Sequence, residues 1–440
     1  MKSKALIFGL AAAALTVPAF ADVTVEITGA TAFRKAALLS IHSQYVLSGQ
    51  PFKFAHDKTS AADDYANSTY SVWIGTFPGV SGTTTIRCSF NGSVEGIRAL
   101  VVSPAADPEY LLPSVLDSVT AIIGGEQKAA TTTPREKAQS EIAFSDVSVA
   151  STPYAASPLE PADSAAGVVV FAMVTNQGSP LTNITSQQFR ALLTNGYQPL
   201  SVFTGNAADT TRVYVTGRND GSGTRTAYMA ESGHGIATPV KQYTALVSSG
   251  ETISEIQLVP AGGANDTNPG TAGVQPWPGQ DVKNASIVWG QDVDGNGGYS
   301  SGSGLVSVLG RNATAASKVW NAAHTTSSTR MFHLATWISL NDAVTARDAG
   351  AIICGYNGVR LDGIAASGTT MSATDLAKVT EGSYTAWSYQ QMYRRPSLGA
   401  DPVTVYDGIK GAIGTNLGSA GISISDMKVG REVDGGVVAP

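Results

Sequence analysis

Cysteine is scarce in this sequence, with only Cys88 and Cys354 among 440 residues. That excludes a disulfide-dense scaffold and a cysteine-rich zinc module. In an oxidising compartment the two could form one disulfide; the alternative is two separate buried thiols. Histidine is nearly as sparse. The five residues (His42, His56, His234, His324, His333) show no metal-ligand spacing, and no nucleophile stands with a histidine base. Charged residues make up 14% of the chain and the formal net charge is −6, so no basic surface for nucleic acid or an anionic membrane is expected. After residue 21 no apolar run is long enough to span a bilayer. The Gly-x-x-x-x-Gly-Lys-[Ser/Thr] spacing of a nucleotide-binding P-loop is also missing.

The sequence is instead rich in apolar residues (43%) and glycine (47 residues), the mark of a folded, loop-rich globular chain. Its length allows two or three domains. Residues 1–21 read as a secretory signal peptide. Lys2 and Lys4 form the basic start, residues 5–17 the apolar stretch, and Ala19-Phe20-Ala21 a small-x-small cleavage site. Cleavage would leave Asp22 first and take the net charge from −6 to −8. No cysteine follows the site, so no lipid anchor is expected.

Strand and helix patterns alternate along the rest. Residues 23–27 read as a strand and residues 32–46 as a helix. Residues 83–90 form another strand, with a helix following at about 95–101. Residues 142–146 read as a short strand ending in polar residues. The apolar run at 167–174 has the character of a strand buried on both faces. Thr185-x-x-Gln188 is a capping box opening a helix that Gly196 stops. Further strands are expected at 213–215, 286–289, 334–338, 351–354 and 423–429, and a helix at 303–309. The stretches 49–82, 104–134 and 235–284 look like insertions. This alternation predicts an α/β fold with parallel sheets and a ligand at the carboxyl ends of strands.

The run Arg218-Asn219-Asp220-Gly221-Ser222-Gly223-Thr224-Arg225 follows one such strand and precedes a helix. A glycine-rich turn there presents unpaired N–H groups at a helix N-terminus, where the dipole favours an anion. Ser222 and Thr224 add hydroxyls, and Arg218 adds a planar fork of donors. The bland reading is a simple turn.

Three other loops share this placement: Ile27-Thr28-Gly29-Ala30-Thr31-Ala32-Phe33, Gly92-Ser93-Val94-Glu95-Gly96-Ile97 and Phe144-Ser145-Asp146. Together with Tyr356-Asn357-Gly358-Val359 and Gly382-Ser383-Tyr384-Thr385-Ala386-Trp387-Ser388-Tyr389, they resemble, in order and character, the periplasmic phosphate-binding protein family of the phosphate ABC transporter. The resemblance implies a two-lobed type II periplasmic binding protein fold, each lobe a mostly parallel sheet flanked by helices, with the ligand in the cleft. Lobe one would comprise residues 22–168 plus 336–440, and lobe two residues 169–335, with hinges near Val169 and Ala335. Carried over, Thr31 supplies a hydroxyl, Ala32 an N–H, and Ser93 donates from a helix start. Arg218 binds two oxygens, Ser222, Gly223 and Thr224 donate, Asp220 holds the arginine, and Asp146 faces the ligand. The implied protein is a periplasmic, monomeric, non-enzymatic carrier without cofactor or membrane anchor. It would bind inorganic phosphate and deliver it to an ABC permease in the inner membrane.

Asp146 matters for selectivity. An ionised carboxylate only accepts hydrogen bonds, so it favours an anion that still carries a proton, such as hydrogen phosphate, over sulfate. Its bland reading is a turn or cap residue. Val94-Glu95 departs from the small residues of the family, and Glu95 either caps its helix or adds negative charge to the site. Asp292-x-Asp294-x-Asn296-Gly297 copies half a calcium loop, but Ser303 stands where the bidentate glutamate belongs. The competing reading is a secreted structural or surface protein that keeps the fold without transport, or binds another oxyanion.

Overall fold

The computed structural model describes residues 22–59, 62–161, 164–247, 252–258, 298–299, 301–321, 326–417 and 421–440. The expected signal peptide, the strand at 286–289 and the calcium-loop residues Asp292, Asp294 and Asn296 lie outside them. No helix among the described residues is long and apolar enough to cross a membrane.

The fold is mixed α/β, with a large sheet flanked by helices. The elements that position the site are β1 (Val23–Gly29), α1 (Arg34–Leu47), β2 (Phe52–His56), β3 (Tyr70–Gly75), β4 (Thr84–Ser89), α2 (Ser93–Val101), β5 (Ile142–Ser145), β6 (Ala165–Thr175), α3 (Ser186–Asn195), β7 (Arg212–Val215), α4 (Gly223–Glu231), β8 (Phe332–Ser339), α5 (Leu340–Asp348), β9 (Ile352–Tyr356), β10 (Trp387–Arg394) and α6 (Ala400–Asn416). Along the sheet the order is β7-β8-β6-β10-β5-β1-β4-β3-β2. A second, four-stranded sheet contains Tyr243–Val247, Thr252–Leu258, Asn312–Trp320 and Ser327–Thr329.

Of four hydrophobic clusters among the described residues, the two largest make two lobes. One gathers Val25, Ile27, Leu38, Ile41, Tyr45, Trp73, Phe144 and Ile409. The other gathers Phe171, Val174, Phe189, Leu192, Val213, Leu334, Trp337 and Ile353. Strand β6 bridges them. Its first half pairs with β10 (Val170 opposite Trp387), and its second half pairs with β8 (Phe171 opposite Ser339). Apolar residues at every position from Val168 to Val174 serve this crossing, because both faces of β6 are covered.

The sheet is more mixed than expected. β1 runs parallel to β4 and β5, and β7 parallel to β8, but the crossing strands β6 and β10 pair antiparallel to their neighbours. The lobe boundary also differs. Residues expected to return to the first lobe after Ala335 stay in the second core, including Trp337, Leu340, Ile353, Tyr356, Val379 and Tyr384. The chain crosses back at β10, whose Gln391–Arg394 end pairs with β5.

Local signals that the sequence carried are realised. Thr185 caps α3 by accepting from the Gln188 N–H at 3.2 Å, and the Gln188 side chain returns the bond to the Thr185 N–H at 2.8 Å. Gly196 ends that helix at φ +83, a left-handed conformation open to glycine. The strand expected at 423–429 is instead a single turn, Ile424–Asp426, after a two-residue strand.

Of the two readings for Cys88 and Cys354, the structure shows the second: both are buried free thiols and the candidate disulfide is not formed. Cys88 lies on β4 in the first core and Cys354 on β9 in the second. Strands β1, β5, β10 and β6 intervene, each adding about 4.8 Å, whereas a disulfide needs Cα atoms within about 7 Å. Burial pushes the Cys88 thiol up to about 12 and the Cys354 thiol to about 11, so neither is a ready nucleophile.

Candidate functional site

Because β1, β4 and β5 are parallel, their carboxyl ends share one edge. The loops that leave that edge carry Thr31, Ser93 and Asp146. The loop after β7, from the other lobe, carries Arg218 to Thr224. Sequence separations of more than a hundred residues thus collapse into one inter-lobe site.

Arg218 lies at its centre, only 2% exposed. Its Nε donates to the Tyr299 carbonyl at 3.0 Å, and its Nη2 reaches across the cleft to Thr31 Oγ1 at 3.2 Å. The Arg218 carbonyl is itself tied down by Gln242 Nε2 at 2.9 Å. Burial lowers the guanidinium pKa, and Asp342 and Asp146 oppose that shift as nearby negative charges. The group remains a cation.

Asp146 is 1% exposed and links the lobes. Its Oδ1 accepts from Gln390 Nε2 at 2.8 Å, and its Oδ2 accepts from Thr224 Oγ1 at 3.1 Å. Its N–H donates to Ser93 Oγ at 3.0 Å. Burial raises the carboxyl pKa, while Gln390, Arg218, Thr224 and Ser93 pull it down. An ionised carboxylate offers about four lone-pair sites, so these two side-chain bonds leave Asp146 able to accept a proton-bearing ligand oxygen.

Ser222 is the N-cap of α4, its Oγ accepting from the Arg225 N–H at 3.4 Å. Gly223 and Thr224 form the first turn of that helix, where free N–H groups and the dipole favour an anion. The loop packs hard against α2. A Cβ on Gly223 would lie 2.5 Å from Ser93 Cβ and 3.1 Å from Asp146 Cβ, and one on Gly92 would lie 2.5 Å from the Gly221 carbonyl oxygen. The lobes are therefore in contact at the turn. Backbone bonds seal the junction: the N–H groups of Val94 and Glu95 both donate to the Gly221 carbonyl, at 3.0 and 3.3 Å.

Ser93 gains a second role and Asp220 a different one. Ser93 was expected to donate from the start of α2; its Oγ accepts from the Asp146 N–H, which leaves its own O–H as a donor, and the next two N–H groups of α2 are taken by Gly221. Asp220 was expected to hold Arg218. Neither of its carboxylate oxygens is hydrogen-bonded, although the residue is 3% exposed. Burial pushes its pKa up to about 7; the Arg225 charge opposes the shift and Glu95 adds to it. Arg218 is positioned by Tyr299 and Thr31 instead. Glu95 makes an ion pair with Arg98 at 3.3 Å on its own helix and faces Asp220 across the junction.

Thr31 and Ala32 stand at the cleft mouth. Sequence reasoning missed Gln390, Tyr299 and Asp342. Only Gln390 left a trace: Gln390-Gln391 is an amide pair inside an aromatic-rich stretch, Trp387 to Tyr393. Among the described residues no cluster of three or more His, Cys, Asp or Glu could hold a metal ion.

No protein-family model and no curated protein matches the chain. Among solved structures it is similar to substrate-binding proteins of phosphate ABC transporters. One, from Clostridium perfringens and with bound phosphate, is 12% identical, with 91% of this chain and 99% of that chain covered, at a TM-score of 0.42. Another is an ABC-type phosphate transport receptor from Vibrio cholerae, 12% identical, with 90% and 96% covered, at a TM-score of 0.41. A third is a phosphate-binding protein from Stenotrophomonas maltophilia, 12% identical, with 92% and 88% covered, at a TM-score of 0.36.

Proposed function

We propose that the protein is an exported solute-binding protein that closes two lobes on a phosphoryl oxyanion, hydrogen phosphate being the simplest, and hands it to an ABC-type permease. One observation carries the reading. The buried Arg218 guanidinium of one lobe reaches Thr31 of the other, while Asp146 of that lobe accepts from Thr224 beside Arg218. A cation, a helix N-terminus and an acceptor-only carboxylate thus meet at one junction between the lobes. An oxyanion with one proton can accept from the first two and donate to the third. Binding and closure are one equilibrium, because the contacts between lobes are the contacts around the ligand.

The test is Arg218→Ala in a phosphate titration. Charge-assisted hydrogen bonds contribute about 1.5–3 kcal/mol each, so loss of the guanidinium should weaken binding at least ~100-fold while the far-ultraviolet circular dichroism stays native. Thr224→Ala, a smaller change at the same site, should weaken binding in the same direction. Unchanged affinity in both variants would refute the assigned cradle.

A further inference from the structure

Thr31 has two neighbourhoods. On one side it accepts from Arg218; on the other it lines a cavity of about 270 Å³ that both lobes build. Arg34, Lys35 and Asn67 face it from the first lobe, and Ser339, Asn341, Asp342 and Thr345 from the second. We propose that this chamber receives the esterified group of a phosphate monoester of a polyol or sugar, whose phosphoryl end sits at Arg218. The inference rests on the oxyanion reading above and narrows its ligand class.

The lining chemistry makes the choice. A bare oxyanion is satisfied by Arg218, Thr31 and the first turn of α4, and leaves the chamber unused. The chamber is walled by hydroxyls, amides and one carboxylate, groups that pair with ligand hydroxyls, together with the cations Arg34 and Lys35. Asp342 is held in place by Ser339, whose Oγ donates to Asp342 Oδ2 at 2.7 Å, and it exerts the leading negative field on both Arg34 and Arg218. Such a carboxylate accepts from a polyol hydroxyl. Arg34 is half-buried, with a long 3.4 Å hydrogen bond to Thr69 Oγ1, and has a guanidinium suited to a hydroxyl or ring oxygen at the cleft mouth. The volume is just under the range of about 300–1,000 Å³ usual for small-molecule pockets, and closure of the lobes would sense whatever fills it.

Ligand-stripped full-length protein should be titrated with glycerol 3-phosphate, glucose 1-phosphate, inorganic phosphate and pyrophosphate. The proposal expects at least one ester to bind tenfold or more tightly than inorganic phosphate. Thr345→Phe, on the exposed face of α5, should narrow the chamber and bring that ester down to the affinity of inorganic phosphate, leaving inorganic phosphate itself unchanged. Esters no tighter than inorganic phosphate, or a Thr345→Phe effect equal on both, would overturn the inference while the oxyanion reading stands. Tightest binding of pyrophosphate would also overturn it, because Arg34 and Lys35 would then serve a second anion in place of ligand hydroxyls. Silence with every phosphoryl compound would overturn the oxyanion reading as well.

Discussion

The contact between Gly223 and Ser93 makes a prediction that separates lobe closure from ligand contact. Gly223→Ala keeps the backbone N–H that the cradle uses, so no donor is lost. The added methyl would lie 2.5 Å from Ser93 Cβ and closer still to its Oγ, with Asp146 Cβ at 3.1 Å. Those neighbours belong to the other lobe, on α2 and after β5. Within α4 the change is favourable, since alanine exceeds glycine in helix propensity by up to about 1 kcal/mol. Overpacking at a tight contact costs about 1–3 kcal/mol, and here that cost falls on the closed arrangement. Phosphate affinity should therefore drop roughly 5- to 150-fold, while the melting temperature without ligand holds or rises if the free protein rests open. Ser93→Gly in the same chain should recover part of the loss by removing the opposing side chain. The assay is titration calorimetry on the single and double variants beside thermal unfolding without ligand. Unchanged affinity in Gly223→Ala would show that the turn and α2 do not meet in the bound state, and the closure argument would fail.

Other expectations follow from the same geometry. Asp146→Asn should let sulfate compete with phosphate, because an amide can donate where the carboxylate only accepts; continued exclusion of sulfate in that variant would rule out Asp146 as the discriminator. Asp220 should make stability fall as pH rises. Its folded pKa is about 7, above the ordinary aspartate value of about 4, so between those values the folded state holds a proton that the unfolded state has lost. Stability should decline from about pH 4 to pH 7 and level off above, and Asp220→Asn should remove this part of the slope in melting curves; an unchanged slope would contradict the assignment. The two cysteines should react with a thiol reagent only after denaturation, and a reductant should leave the melting temperature unchanged; a drop on reduction would mean a disulfide.

How much of this was legible in the sequence depends on how local each cause is. The helix capped by Thr185 and Gln188, and ended by Gly196, is written within a dozen residues, and it forms as read. The turn from Arg218 to Thr224 is equally local: a short apolar strand and glycines announce a strand-turn-helix order, although the helix begins at Gly223, inside the run read as the turn. Strand β6 was legible because burial on both faces demands an unbroken apolar run.

What was missed depends on distant partners. Helix α6 contains Gly408, Gly411 and Gly414, which argue against a helix in isolation. The reason for one of them is visible only in the fold, where Gly408 lets Phe77 and Gln44 approach. The second lobe boundary near Ala335 came from the family resemblance, not from a local signal. Nothing local says that α5 and β9 pack back onto Trp337 and Phe189 before the chain returns at β10. Asp220 shows the same limit. Its position beside Arg218 suggests a partnership, but the chain direction through Gly221 turns its carboxylate towards Arg225 and Glu95 instead.

The central claim is that the cleft recognises a phosphoryl oxyanion through Arg218 and Asp146. The most direct measurement is calorimetric titration of unfolded-and-refolded, ligand-free protein with phosphate, with sulfate as the control at the same pH. Refolding matters because a ligand at a hundredfold excess over its dissociation constant stabilises the fold by about 2.7 kcal/mol and can survive purification. The account predicts saturable heat with phosphate and none with sulfate. Silence with both anions, or equal binding of the two, would contradict it.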